Sequence, residues 1–304
     1  MTFFKNLFTQ FLGGEKKTTA VVEYSAGSCI GSRRENQDNF RAGRRVPFIK
    51  AGRKTVAQGV LKLDDMDLFC VCDGVGGGYR GDLAAKYALK AIKRYLDATH
   101  TDVQSLRTIL LEAAEAAQRE VCAFYETAHN VGGCTLAMIA LRGARYAFLN
   151  IGDSPGFLIP FGGTIQELSQ RHNLAWEKLR MNLPVGQTDG NRLLHYLGMN
   201  DMAAEEIAYI TEGTLTEGDR ILLCTDGVTN TFPLPSLEKA VCSNMTAGQI
   251  TGAAAQNEGS DNCTAICLMI REIITLQTAQ DASERGDKDD ADGKTETGAG
   301  DYPM

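Results

Sequence analysis

Several features that would decide a protein's class at once are missing here. The 304 residues contain no run of about 18 uncharged apolar residues, so a membrane-spanning helix is excluded. No secretory leader pattern opens the chain, so a cytoplasmic setting is expected, with the nine cysteines as reduced thiols. No zinc spacing joins them, because nothing supplies a second pair to match Cys70 and Cys72. Cys70, Cys72, Cys224, Cys263 and Cys267 lie instead in apolar runs, where a thiol acts as a small hydrophobe. Positive charge is not in excess: 31 Lys and Arg stand against 38 Asp and Glu, and the net charge of −7 argues against general nucleic-acid binding. The glycines at 74–78 are not followed by Gly-Lys-(Ser/Thr), which excludes a P-loop. No internal repeat is present.

What is present is a pair of matched endings. Leu68-Phe-Cys-Val-Cys-Asp73-Gly74 and Ile221-Leu-Leu-Cys-Thr-Asp226-Gly227 are short apolar runs that stop at Asp-Gly. Each reads as a buried strand ending in a carboxylate at the rim of the core, where a charge needs a partner. A single Asp-Gly is an ordinary turn dipeptide; two, on strands far apart in sequence, could meet over one cation. Three more aspartates border predicted strand ends or loops with small neighbours: Asp38, Asp153 and Asp261. Carboxylates are hard oxygen ligands, suited to Mg²⁺ or Mn²⁺.

The pattern along the chain mixes helices and strands. Residues 82–96 and about 103–126 have the apolar periodicity of amphipathic helices, and shorter helices are expected near 235–243 and 247–257. Strands are expected at 134–142, 145–151, 156–160, 221–225 and 263–270. Strands in hairpin succession and helices in separate blocks make an α+β layered pattern. Residues 1–20 carry Phe3, Phe4, Leu7, Phe8, Phe11 and Leu12 at helical spacing, an amphipathic segment that could touch a membrane but equally its own domain. A central domain is expected over 21–271, and residues 272–304 read as an acidic, disordered tail. The basic stretch 41–62, with Arg41, Arg44, Arg45, Lys50, Arg53, Lys54 and Lys62, is expected to be a solvated hairpin. It could also steer acidic ligands towards a site.

Seven motifs in order resemble the type 2C metal-dependent protein serine/threonine phosphatases in their compact bacterial form. They are Arg33-x-x-Asn36-x-Asp38; Asp73-Gly-x-Gly-Gly77 with Gly81-Asp82; Gly133-Cys-Thr135; Gly152-Asp153-Ser154; Leu168-Ser169 with His172; Gly218-Asp219 through Asp226-Gly227; and Asp261-Asn262-x-Thr264. The resemblance implies two antiparallel β-sheets packed as a sandwich flanked by helices, a four-layer αββα arrangement. It implies Asp73 bridging two Mn²⁺ or Mg²⁺ ions, Asp38 and the Gly74 carbonyl on one side, Asp226 and Asp261 on the other, and Asp153 at a weaker third ion. Arg33 would clamp the substrate phosphate, since a guanidinium offers two parallel hydrogen bonds to phosphoryl oxygens.

The implied activity is hydrolysis of phosphoserine and phosphothreonine by a water that the paired cations activate, with no covalent nucleophile. Expected partners are phosphorylated proteins, the products of a serine/threonine kinase, met by a monomer. The match departs at Gly78 in place of His, Arg171 in place of Asp, and Pro155 in place of Arg. These leave the proton donor to the leaving oxygen open among His172, His195 and water. A cysteine-based phosphatase needs Cys and Arg in one short loop, and Cys72 and Arg80 are too far apart. The main rival is a non-catalytic pseudophosphatase that senses phosphoproteins, disfavoured by the intact Asp38, Asp73, Asp226 and Asp261.

Overall fold

Strands with both faces covered need apolar residues on both, and that is how the central strands are written. In the computed structural model, which describes residues 18–43, 54–63, 65–75, 79–99, 101–200 and 202–275, they form two sheets. The first has six strands in the order β3 (Lys54–Leu63), β1 (Thr18–Cys29), β11 (Cys263–Thr275), β10 (Arg220–Cys224), β7 (Gly156–Ile159) and β8 (Gln166–Glu167). The second has five: β2 (Asn39–Ala42), β4 (Asp67–Cys72), β5 (Leu136–Arg142), β6 (Arg145–Ile151) and β9 (Tyr209–Thr214). The sheets are antiparallel, as the hairpin succession predicts.

Three apolar layers define the stack. Alternate residues of β4 and β10, namely Phe69, Val71, Ile221 and Leu223, meet Val22, Phe40, Ile139, Phe148 and Ile266 between the sheets. The other face of β4, with Leu68, Cys70 and Cys72, lies under helices α1 (Gly81–Ala98) and α2 (Leu106–Thr127) through Leu89, Ile92, Ile109 and Leu110. Leu222 and Cys224 turn to the opposite outer layer, where Leu237, Val241 and Ile250 come from α6 (Leu234–Cys242) and α7 (Ala247–Ala254). The αββα sandwich is therefore present. Short helices α3 (Leu174–Arg180), α4 (Ala204–Ile207) and α5 (Asp226–Thr229) complete the described set. All nine cysteines are free, and burial pushes the Cys70 and Cys72 thiols well up, as inert core thiols require. No helix among the described residues is long and apolar enough to cross a membrane.

Three expectations need correction or limits. The stretch 41–62 is not a hairpin: β2 pairs with β4, whereas β3 pairs with β1 in the other sheet, Ala20 opposite Leu63. β1, which the periodicity does not flag, begins at Thr18, inside the segment 1–20. β11 runs to Thr275, so residues 272–275 are strand rather than tail. The remainder of the N-terminal segment and of the tail, residues 1–17 and 276–304, lies outside the described residues, as do 44–53.

Phe148 is fully buried at the centre of the inter-sheet layer, and its ring lies 2.3 Å from where a Cβ on Gly156 would stand. Phe148→Ala is expected to lower unfolding free energy by about 3–5 kcal/mol in urea titrations. A loss below about 1 kcal/mol would show that the sheets do not depend on this layer.

Candidate active site

Strand registers bring the acidic residues to one end of the sandwich. Asn39 pairs with Cys72, so Asp38 and Asp73, one residue outside that pair, are neighbours. Cys224 pairs with Ala265, which puts Asp226 and Asp261 beyond the matching ends of β10 and β11. Leu136 pairs with Ile151, and Gly74 bridges to Cys134, which brings Asp153 towards Asp73. The Asp73 carboxyl feels the charges of Asp38, Asp226, Asp153 and Asp261 together.

Both Asp-Gly glycines have a stereochemical reason that is not a turn. A Cβ on Gly74 would stand 2.6 Å from the Gly81 backbone, where the first turn of α1 rests on it. A Cβ on Gly227 would stand 2.1 Å from the Asn262 carbonyl oxygen. Neither glycine adopts positive φ. Close backbone approach selects them.

Burial raises the carboxyl pKa of Asp73 well above the usual carboxylate range, and the neighbouring charges of Asp38, Asp226, Asp153 and Asp261 add to it. Burial also raises Asp226, with Asp261 adding, and Asp38, with Thr264 and Thr225 opposing. The donors present are few. Thr225 Oγ1 donates to Asp38 Oδ2 at 2.9 Å, and Asn230 Nδ2 donates to Asp226 Oδ2 at 3.2 Å. The other oxygens, Asp38 Oδ1 and Asp226 Oδ1, are buried with no hydrogen-bond partner. Two orphaned carboxylate oxygens aimed into a cluster of like charge are what divalent cations satisfy, so the donor set fits hard cations. Among the described residues no group of three or more acidic, histidine or cysteine side chains is gathered closely enough, as the side chains stand, to hold a metal ion.

Arg33 lies at the rim with its side chain 56% exposed, and its Nη2 donates to Asp261 Oδ2 at 2.6 Å. Its loop is held from below by Asn262, whose Nδ2 donates to the Ile30 and Glu35 carbonyls at 2.8 and 3.0 Å and whose Oδ1 accepts from Gln37 N–H at 2.9 Å. Sequence reasoning named Asn262 only as part of a motif and missed Thr225 and Asn230 altogether. A hydroxyl one residue before Asp226, at the end of an apolar strand, is the signal that could have found Thr225. Asp153 is also at the site, where Asn173 Nδ2 donates to its Oδ2 at 3.3 Å.

The structure removes His172 as a proton donor. It is 8% exposed, its Nδ1 accepts from Gly152 N–H at 3.2 Å, and burial, with His195 adding, pulls its pKa down to about 4. A neutral imidazole with Nδ1 committed to the backbone is structural. His195 stacks edge-on against it, ring centroids 5.0 Å apart.

Asn262→Ala should free the 30–37 loop and, with it, Arg33. The expected result is a kcat/KM about 10–100-fold lower on a phosphopeptide, carried mainly by KM. An unchanged KM would mean that Asn262 does not position Arg33.

The chain matches the family model described as Protein phosphatase 2C over residues 57–257, well over half its length. It is 26% identical over 235 residues to the serine/threonine phosphatase stp of Listeria monocytogenes serotype 4b, a match spanning 72% of this chain and 90% of that protein. The crystal structure of the catalytic domain of the serine/threonine protein phosphatase PstP in complex with two manganese ions superposes with a TM-score of 0.65 at 21% identity, covering 83% of this chain and 100% of that one. The serine/threonine phosphatase Stp1 of Staphylococcus aureus gives a TM-score of 0.67 at 18% identity, over 82% of this chain and 95% of its own. With the family model matched over well over half of the chain and the fold in agreement, the chain belongs to the protein phosphatase 2C family.

Proposed function

We propose that the chain hydrolyses phosphoserine and phosphothreonine in proteins, using two divalent cations, Mn²⁺ or Mg²⁺. The observation that supports this reading is the pair of buried oxygens without a donor on Asp38 and Asp226, whose charges both act on Asp73. In this reading Asp38, Asp73 and the Gly74 carbonyl would hold one ion, and Asp73, Asp226 and Asp261 would hold the other. When bound, the cations offset the field of the aspartates, lower the pKa of a water and draw charge from the phosphoryl oxygens. The two-manganese structure of the related PstP catalytic domain supports that number of ions.

Thr225 keeps Asp38 oriented and Asn230 keeps Asp226 oriented, so neither carboxylate has to reorganise as charge develops. Arg33 binds the substrate phosphate from the rim. Its partner Asp261 holds the guanidinium close by, and because the pair is largely exposed, little energy opposes its release. With His172 neutral and backbone-bound, the leaving serine or threonine oxygen takes its proton from water or from His195. The pseudophosphatase alternative has no observation in its favour, since all four of Asp38, Asp73, Asp226 and Asp261 are in place. The reading makes the chain a cytoplasmic, monomeric opponent of a serine/threonine kinase, with phosphorylated proteins as its partners.

Phosphate release from a phosphothreonine peptide is expected with Mn²⁺ and not with EDTA. Asp226→Asn should lower turnover by about 10²–10³-fold or more while leaving the circular dichroism spectrum unchanged. Wild-type turnover in that variant, or full activity in EDTA, would refute the assignment.

A further inference from the structure

A chain of uncharged hydrogen-bonding groups joins the Asp38 carboxylate to the loop that carries Arg33. Thr225 N–H donates to the Thr264 carbonyl and Thr264 N–H to Thr225 Oγ1, both at 3.0 Å, which extends the β10–β11 ladder by one residue towards the aspartates. Thr225 Oγ1 in turn donates to Asp38 Oδ2 at 2.9 Å. That bond decides which oxygen the carboxylate offers, because Oδ1 is the buried oxygen left without a donor.

From Thr264 the chain continues away from the carboxylates. Thr264 Oγ1 donates to Ser28 Oγ, near the end of β1, at 2.8 Å, and Asn36 Nδ2 donates to the same oxygen at 2.9 Å. Asn36 Oδ1 accepts from Asp38 N–H at 3.2 Å, so the chain returns to the residue where it began. Four segments distant in sequence, around residues 28, 36, 225 and 264, are thereby closed into one ring. Ser28, Thr225 and Thr264 are each 0% exposed, so water cannot replace a bond lost there. A serine hydroxyl has two acceptor lone pairs, and at Ser28 both are used by the ring.

We propose that Ser28 is a positioning residue: as the shared acceptor of Thr264 and Asn36, it ties the orientation of Asp38, and so ion binding, to the order of the Arg33 loop. This rests on the two-cation reading above, in which Asp38 holds an ion and Arg33 the phosphate. It adds a residue that lies outside all seven sequence motifs. Without Ser28 Oγ two donors lose their acceptor, one on the side of Thr225 and Asp38, the other on the loop three residues after Arg33.

Two measurements on the full chain test this, with thermal unfolding as a fold control: Mn²⁺ affinity by isothermal titration, and deuterium uptake of residues 31–38 in EDTA. Ser28→Ala and Thr264→Val are each expected to weaken Mn²⁺ binding by about 10–100-fold and to speed exchange in the loop. Thr264→Ser, which keeps the hydroxyl, should stay near wild type. Because both breaks fall in one ring, the affinity loss in Ser28→Ala/Thr264→Val should match that of a single variant rather than the product of the two. Unchanged Mn²⁺ affinity or unchanged loop exchange in a folded Ser28→Ala, or in Thr264→Val should Ser28→Ala not fold, would overturn the proposal, as would multiplying losses in the double variant. A wild type that binds no Mn²⁺ would overturn the two-cation reading itself, and the ion half of the proposal with it, before any variant is compared.

Discussion

Repulsion among carboxylates buried at one end of a β-sandwich is the constraint on which the rest of this site depends. Burial alone disfavours the charge on Asp73, and the charges of Asp38, Asp226, Asp153 and Asp261 disfavour it further. Neutral residues at these strand ends would remove that cost. The chain instead holds the carboxylates by strand register, with Thr225 and Asn230 as the few donors and two oxygens left for something else. A site that is electrostatically costly when empty becomes favourable once it gains divalent charge, which is how a fold can be built around an ion it must bind.

The architecture answers the need for rigidity. β2 against β4 fixes Asp38 beside Asp73, and β10 against β11 fixes Asp226 near Asp261. Three apolar layers then prevent either sheet from relaxing away from the cluster. The glycines after Asp73 and Asp226 let backbone from Gly81 and Asn262 close over the strand ends, so the cradle is walled by main chain that no side chain could share. Arg33 stands at the rim, where solvent screens its ion pair with Asp261.

Much of this was legible in the sequence, for a definable reason. β4 and β10 are buried on both faces and so read as unbroken apolar runs, and an aspartate closing such a run stands out. The longer helix was equally plain, because Leu106, Leu110, Ala113, Ala117 and Val121 repeat at helical spacing and all lie in the core. β3 was not: it is an edge strand whose outward positions carry Val56 and Val60, 59% and 64% exposed, so its alternation gives no inside. Its basic neighbours suggested a solvated hairpin, while its real partner, β1, lies further back along the chain, before β2. The hydroxyl and amide supports were hidden because threonine and asparagine are common in strands and loops, and only the register shows that Thr225 faces Asp38. The structural part played by His172 depends on how residues 167–172 fold back on Gly152–Gly156, a contact with no periodic trace.

The central claim, that the aspartate cluster opposes folding until divalent cations occupy it, is tested most directly by thermal unfolding of wild type and Asp73→Asn near pH 8, in EDTA and in saturating Mn²⁺. The raised folded pKa of Asp73 means that its ionisation costs stability as pH rises, so in EDTA the neutral variant should melt at the higher temperature. Mn²⁺ should reverse the order by stabilising wild type, by about 2.7 kcal/mol at a hundredfold excess over Kd, and the variant far less. Equal shifts in both proteins, or a wild type that already melts higher in EDTA, would contradict the account.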